Sequence, residues 1–239
     1  MADPLLELTD VHAGYGKTTV LEGVSLSVPE EEVVSLVGRN GAGKTTTLRA
    51  IAGHVDVTAG SIRLDGEDVT GLAPETLYRK GIGFVPENRE VFPGLTVEEN
   101  LRMGATATDD GWLTFEEAYD LFPRLGERKA QMGKTLSGGE QQMLAIARSL
   151  MGDTEVLLLD EPTEGLAPQI VEDIVDIVDS LADRGLTVLV VEQNIEAVTE
   201  VADYHHVLAN GQVVFEGDTA ALADARDVQE QYLGVGRTR

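Results

Sequence analysis

The chain of 239 residues has no cysteine, one tryptophan and only 18 Lys and Arg against 42 Asp and Glu. Without cysteine, disulfides and thiolate metal sites are excluded, and an interior cellular compartment is favoured. Long apolar runs are missing too. None approaches the roughly 20 residues of a membrane span, and the opening "MADPLLELTD" lacks the basic-then-apolar order of a signal peptide. The expectation is a soluble protein, or one bound to a membrane only through a partner. Basic residues are scarce enough to leave a formal net charge of −24, and only 5 of them are Lys. The acids are spread along the chain ("VPEEEVV", "TVEEN", "IVEDIVDIVDSLAD") rather than gathered in a tail. This pattern predicts a solvated acidic surface suited to a very salty cytoplasm, where molar salt shortens the Debye length to about 3 Å and screens self-repulsion. A halophilic source is therefore expected, an ordinary acidic protein being the other reading. The sign of the charge argues against nucleic acid as a partner, because phosphate backbones attract Lys and Arg.

What is present is an ample apolar fraction, 42%, enough for one large α/β domain with a modest insertion. "EVVSLVG", "GIGFVPE", "TEVLLLDEP" and "LTVLVVEQ" are nearly continuous apolar runs, as expected of parallel strands buried on both faces. Helical patterns alternate with them, which implies crossover helices on a mostly parallel sheet. The stretch from "LLELTDVHAGY" to "VSLSVPEEEVVSLV" reads as antiparallel, with "PEE" as its turn. Asp-Gly in "DGEDV" and Asn-Gly in "ANGQVVFEG" signal small edge hairpins. "TVEENLRMGA", "TFEEAYDLFPRL" and the segment from Ser137 read as three helices. Residues 87–133 are thus expected as a helical insertion in an α/β core of residues 1–86 and 134–239.

Three motifs carry chemistry. "GRNGAGKTT" (Gly38, Arg39, Asn40, Gly41, Ala42, Gly43, Lys44, Thr45, Thr46) follows a strand pattern and opens a helix. Its glycines let successive N–H groups face a phosphate, Lys44 can reach β- and γ-phosphates, and the Thr45 hydroxyl can ligate Mg²⁺. In "VLLLDEP", Asp160 and Glu161 end a buried strand. Alone such a pair reads as solvated acids; beside a phosphate loop it reads as a Mg²⁺ holder, Asp160, and a water-polarising base, Glu161. "LSGGEQQ" places Ser137, Gly138, Gly139 and Glu140 at a helix start. One reading is an S-x-x-E capping box with glycines that permit a tight entry. The other is a helix N-terminus left bare for close approach of an anionic ligand, since each glycine weakens a first turn.

These three motifs, in this order and spacing, resemble the ATP-binding subunits of ABC transporters, and the likeness runs along essentially the whole chain. The resemblance implies an ABC-type P-loop fold that binds ATP and Mg²⁺ and hydrolyses ATP. It implies head-to-tail pairing, in which Ser137–Glu140 complete the nucleotide site of a partner subunit. It also makes Tyr15 the aromatic that stacks on adenine; a packed core tyrosine is the other reading. Pro86-Glu87 becomes the loop that senses Mg²⁺ and contacts the membrane subunits. Three positions depart from the common family pattern: Glu87 stands for glutamine, Gln193 for a switch histidine, and Ala167 for an aspartate. "VPENREVFPGLTVEENLRMGA", "DEPTEGLAP", "VVEQN" and "QYLGVG" resemble the smaller of the two ATPases in branched-chain amino acid importers. That likeness implies a heterodimer with a second, non-identical ATPase, two membrane permeases, and indirectly a substrate-binding protein. The expected location is the cytoplasmic face of the membrane. Urea or short-chain amide importers, and soluble ABC ATPases outside transport, are the alternatives.

Overall fold

The computed structural model describes residues 4–105 and 111–234. The chain opens with β1 (Pro4–Tyr15), β2 (Thr18–Pro29) and β3 (Val33–Val37), then α1 (Lys44–Ile51), β4 (Asp56–Leu64), β5 (Glu67–Asp68), α2 (Pro74–Arg79) and β6 (Ile82–Val85). Helices α3 (Val97–Gly104), α4 (Phe115–Leu121), α5 (Pro123–Gly126) and α6 (Gly138–Leu150) follow. The rest is β7 (Val156–Asp160), α7 (Pro168–Asp183), β8 (Thr187–Glu192), α8 (Ile195–Thr199), β9 (Tyr204–Ala209), β10 (Gln212–Asp218) and α9 (Thr219–Asp224), with short helical turns after it.

The expected parallel sheet is present. Its six strands run in the order β10-β9-β3-β8-β7-β6, parallel except for β10, which returns along β9 through Asn210-Gly211. Every residue of β3, β7 and β8 is buried, which is why these runs are continuously apolar. Their side chains alternate between two cores. Val37, Leu157, Leu159, Val188 and Val190 face one cluster with α6 and α7. Val34, Leu36, Leu158, Leu189 and Val191 face another, closed by α1 and by the antiparallel sheet β2-β1-β4-β5.

Two local expectations are corrected. The "PEE" turn does not join two strands of one antiparallel sheet. β1 and β2 form their own hairpin, closed at Tyr15↔Thr18, and the turn at Glu30-Glu31 passes the chain from that sheet to the parallel one. The segment "TFEEAYDLFPRL" is broken into α4 and α5 at Phe122, because the following Pro123 disfavours a helical residue before it.

Helices α3 to α5 share a core with one face of the sheet: Val97, Leu101, Phe122 and Leu125 lie in the same buried cluster as Val37 and Leu159. The two ends of this helical segment meet, with a bridge between Thr96 and Met132 and a bond from Val97 N to the Gln131 carbonyl of 2.9 Å. Thr96 and Thr114 each close a capping box, with Glu99 and Glu117, at the starts of α3 and α4. No helix among the described residues is long and apolar enough to cross a membrane.

Candidate nucleotide site

The parallel sheet brings the carboxyl ends of β3, β7 and β8 together, the edge at which folds of this class bind ligands. After β3 the chain turns at Gly38, where a Cβ would lie 2.4 Å from the Leu208 carbonyl oxygen, so the close approach demands glycine. Arg39, Asn40 and Gly41 form an exposed tip; Ala42, Gly43 and Thr46 are buried. Gly43, at φ 112°, adopts a conformation that L side chains rarely tolerate and starts α1. Lys44 is only 4% exposed. Its ammonium donates to the Gly38 carbonyl at 2.9 Å and lies 3.1 Å from Glu161 Oε1. The Thr45 hydroxyl donates to Asp160 Oδ1 at 3.0 Å.

Asp160 closes β7 at 1% exposure, and its Oδ2 has no partner among the described residues. Burial pushes its carboxyl up to about 6; the bond from Thr45 opposes this, and the charges of Glu161 and Glu87 add to it. Glu161 has φ 45°, in the left-handed region, a strain of about 1–3 kcal/mol for a non-glycine residue. Its N–H donates to the Val191 carbonyl at 2.9 Å, and this bond to β8 holds the side chain toward Lys44. A cavity of about 330 Å³ lies over these groups, lined by Gly41, Lys44, Thr45, Glu87, Glu161 and Glu164 among others. Glu87, just past β6, is therefore brought to the phosphate loop despite its distance in sequence.

Glu164, which belongs to none of the three sequence motifs, also lines the cavity. Burial raises its carboxyl above the usual range, reinforced by the Glu161 charge and by hydrogen bonding with Glu87. Nothing in the local pattern marks it; only the loop after β7 turns it back onto the cavity. Glu192 is a second such residue. At 2% exposure it accepts from the Thr163 N–H at 3.0 Å and the Thr163 hydroxyl at 2.7 Å, fixing the loop that follows Glu161. Gln193 is exposed at the end of β8 and lines a neighbouring cavity with Glu161, Thr163 and Glu164. Tyr15 is 47% exposed beside α1, its hydroxyl accepting from Arg49 Nη1 at 3.4 Å, so the reading as a core tyrosine fails.

Ser137 to Glu140 do not line the cavity at Lys44. Their capping box is formed: Ser137 Oγ accepts from Glu140 N at 3.3 Å, and Ser137 N donates to Glu140 Oε2 at 2.8 Å. Partial burial alone would raise the Glu140 carboxyl, but the bonds from Ser137 and the charge of Arg128, 2.7 Å away, hold it below the usual range. For Gly139 the structure adds a packing reason for glycine beside the ligand reading. A Cβ there would meet Ile170 Cγ2 at 2.4 Å, so packing of α6 on α7 by itself disfavours a side chain. Ala167, the N-cap of α7, leaves that helix start without a side-chain cap.

The family model for the ABC transporter matches residues 21–164, more than half of the chain. The chain belongs to the ABC transporter family. This ABC ATPase is 47% identical to the high-affinity branched-chain amino acid transport ATP-binding protein BraG of Pseudomonas aeruginosa, over 96% of this chain and 100% of that one. It is 35% identical to the lipopolysaccharide export system ATP-binding protein LptB of Escherichia coli K12, over 92% and 93% respectively. Among solved structures, a nucleotide-free ATP-binding cassette from an ABC transporter superimposes with a TM-score of 0.83 at 27% identity, covering 98% of this chain and 100% of that chain. The ABC ATPase couples ATP hydrolysis to transport.

ABC ATPases use ATP with Mg²⁺. Mg²⁺ is commonly held by one or two carboxylates together with substrate phosphates rather than by an all-protein cage. Among the described residues there is no cluster of three or more His, Cys, Asp or Glu arranged to hold a metal. Asp160, with Oδ1 on the Thr45 hydroxyl and Oδ2 unpartnered among the described residues, fits that sparse mode of binding.

Proposed function

We propose that this ABC ATPase energises import of branched-chain amino acids. The observation that carries the reading is the end-to-end match to BraG at 47%, well above the 35% to LptB. Glu87 and Gln193, both departures from the common family pattern, support it further. As the smaller ATPase of such a system the chain pairs with a second, non-identical ATPase at the cytoplasmic face of the membrane and acts on two permeases. A separate binding protein supplies the substrate. Residues 87–133 form the helical subdomain on the permease side. A cleft of about 460 Å³ beside that segment, lined by Tyr78, Phe84, Pro86, Phe92, Met103 and Arg148, suits an apolar permease segment. Phe92 and Met103 are 42% and 59% exposed on it, and Pro86 joins it directly to Glu87.

In the reaction, Gly38–Thr46 cradle the phosphates of ATP and Tyr15 stacks on its adenine. Lys44 neutralises charge on the β- and γ-phosphates, while Thr45, Asp160 and Glu87 would hold Mg²⁺. When bound, that ion offsets the charge that develops on the phosphate oxygens. Before nucleotide arrives, Lys44 and Glu161 satisfy each other in a site where neither is well solvated. A γ-phosphate competing for Lys44 frees the Glu161 carboxylate to take a proton from the attacking water. The new P–O bond forms as the bond to the β-phosphate oxygen breaks, and ADP leaves. Gln193 orients the γ-phosphate, and Ser137–Glu140 complete the partner's site. The deciding experiment is uptake of labelled leucine and labelled urea in cells lacking the protein, rescued with wild type or Lys44→Ala. Loss of leucine uptake restored only by wild type supports the proposal. Loss confined to urea moves the substrate to the amide class, and unchanged uptake of both overturns the assignment.

A further inference from the structure

In the segment "PENREVFP" two consecutive non-glycine residues, Arg89 (φ 64°) and Glu90 (φ 45°), sit in the left-handed region. Such a conformation persists only where the surroundings over-determine it. Here Arg89 N bonds the Pro86 carbonyl at 2.8 Å and Glu90 N the Asn88 carbonyl at 2.7 Å. From α6, Arg148 Nη1 donates to the Glu90 carbonyl at 2.8 Å and Nη2 to the Arg89 carbonyl at 3.5 Å, while its guanidinium lies over Phe92. The outcome of this pinned backbone is the placement of the Arg89 side chain. Its Nε donates to Gln142 Oε1 at 3.2 Å, its Nη2 to the Glu164 carbonyl at 3.5 Å, and its Nη1 lies against Gly138.

Gln142 is 1% exposed, and its Nε2 has no partner among the described residues. Rotating the amide would set two donors against each other at Arg89. The Arg89 bond therefore sets the amide orientation, with Oε1 toward Arg89 and Nε2 a buried donor with no partner among the described residues. Arg89 thereby joins three segments with different tasks. One is its own loop, which carries Glu87. Another is the loop after β7, which carries Glu161 and Glu164. The third is the start of α6, where Ser137 and Gly138 stand.

We propose that Arg89 is a positioning residue that couples this subunit's own nucleotide site to the helix start that completes the partner's site. The inference rests on the two-site reading given above. A shift of Glu87 on nucleotide binding moves the Arg89 backbone, and its planar fork carries that shift to Gln142 and Glu164 together.

The test uses the transporter purified through a tag on this chain, with steady-state ATPase kinetics and Lys44→Ala as control. Arg89→Ala is expected to lower kcat about tenfold. KM for ATP should stay within about twofold, the mark of a loss confined to the catalytic step. Arg89→Lys should not restore kcat, because an ammonium cannot span the two acceptors. Gln142→Leu should reproduce the loss, and combined with Arg89→Ala it should add little to it. Wild-type kcat in Arg89→Ala, full rescue by lysine, additive losses, or a rise in KM alone would each overturn the inference. If Arg89→Ala does not fold, Arg89→Lys and Gln142→Leu decide, since both must then show the kcat loss. ATPase activity that Lys44→Ala leaves at the wild-type level would instead overturn the underlying site reading.

Discussion

Lys44 Nζ lies 3.1 Å from Glu161 Oε1, with side chains 3% and 11% exposed. The lysine of the phosphate loop and the carboxylate just past β7 neutralise one another across the cavity. In the mechanism proposed above, a phosphate reaching Lys44 separates them, so nucleotide binding would release the base.

Glu161→Gln keeps the shape of the side chain and removes the base. ATP hydrolysis at this subunit's phosphate loop is expected to fall by about 10²–10⁴-fold while ATP binding persists. The ATP-bound ATPase pair should then accumulate, visible by gel filtration. Hydrolysis at the wild-type rate would show that another group takes the proton.

Asp160, raised to about 6, makes the nucleotide-free fold less stable when ionised. The folded state binds the proton more tightly than the unfolded chain, so this contribution to stability falls as pH rises from about 4 to about 6 and is constant above. Asp160→Asn, which keeps an acceptor for Thr45, should therefore be more stable than wild type at pH 7 by up to about 2 kcal/mol in the presence of chelator. The gap should close toward pH 4. Urea unfolding of both proteins across this range measures it, and a gap that widens on acidification would reverse the sign.

Gly139 is held by packing. Gly139→Ala should cost about 1–3 kcal/mol through overlap with Ile170, and a second change, Ile170→Ala, should recover part of the loss. Thermal unfolding of the single and double variants distinguishes this from a purely ligand-facing glycine, for which Ile170→Ala brings no recovery.

The formal charge of −24 implies strong self-repulsion in dilute buffer. Thermal stability should rise steeply between low and molar KCl as the Debye length shortens to about 3 Å. A melting temperature independent of KCl would remove the halophilic reading.

Much of the fold was legible because its signals are local. Fully buried strands must be apolar on both faces, so β3, β7 and β8 stand out as Val/Leu runs, and Asp65-Gly66 and Asn210-Gly211 announce their hairpins. The phosphate loop is equally local, since its glycines, lysine and threonines are consecutive. Other features depend on what lies across the fold. The turn at Glu30-Glu31 looks like any hairpin turn until the sheets on either side are known. The reason for Gly139 sits on α7, at Ile170. Glu164 and Arg89 gain their neighbours only when the loops after β7 and β6 converge, and the left-handed backbone at Arg89 and Glu161 has no residue preference to betray it. The sequence by itself thus determined the strands, the order of the motifs and the charge, because each is set by short-range periodicity or composition. Only the tertiary structure decided which carboxylates share the cavity over Lys44 and how Arg89 reaches α6, because those contacts join residues far apart in the chain.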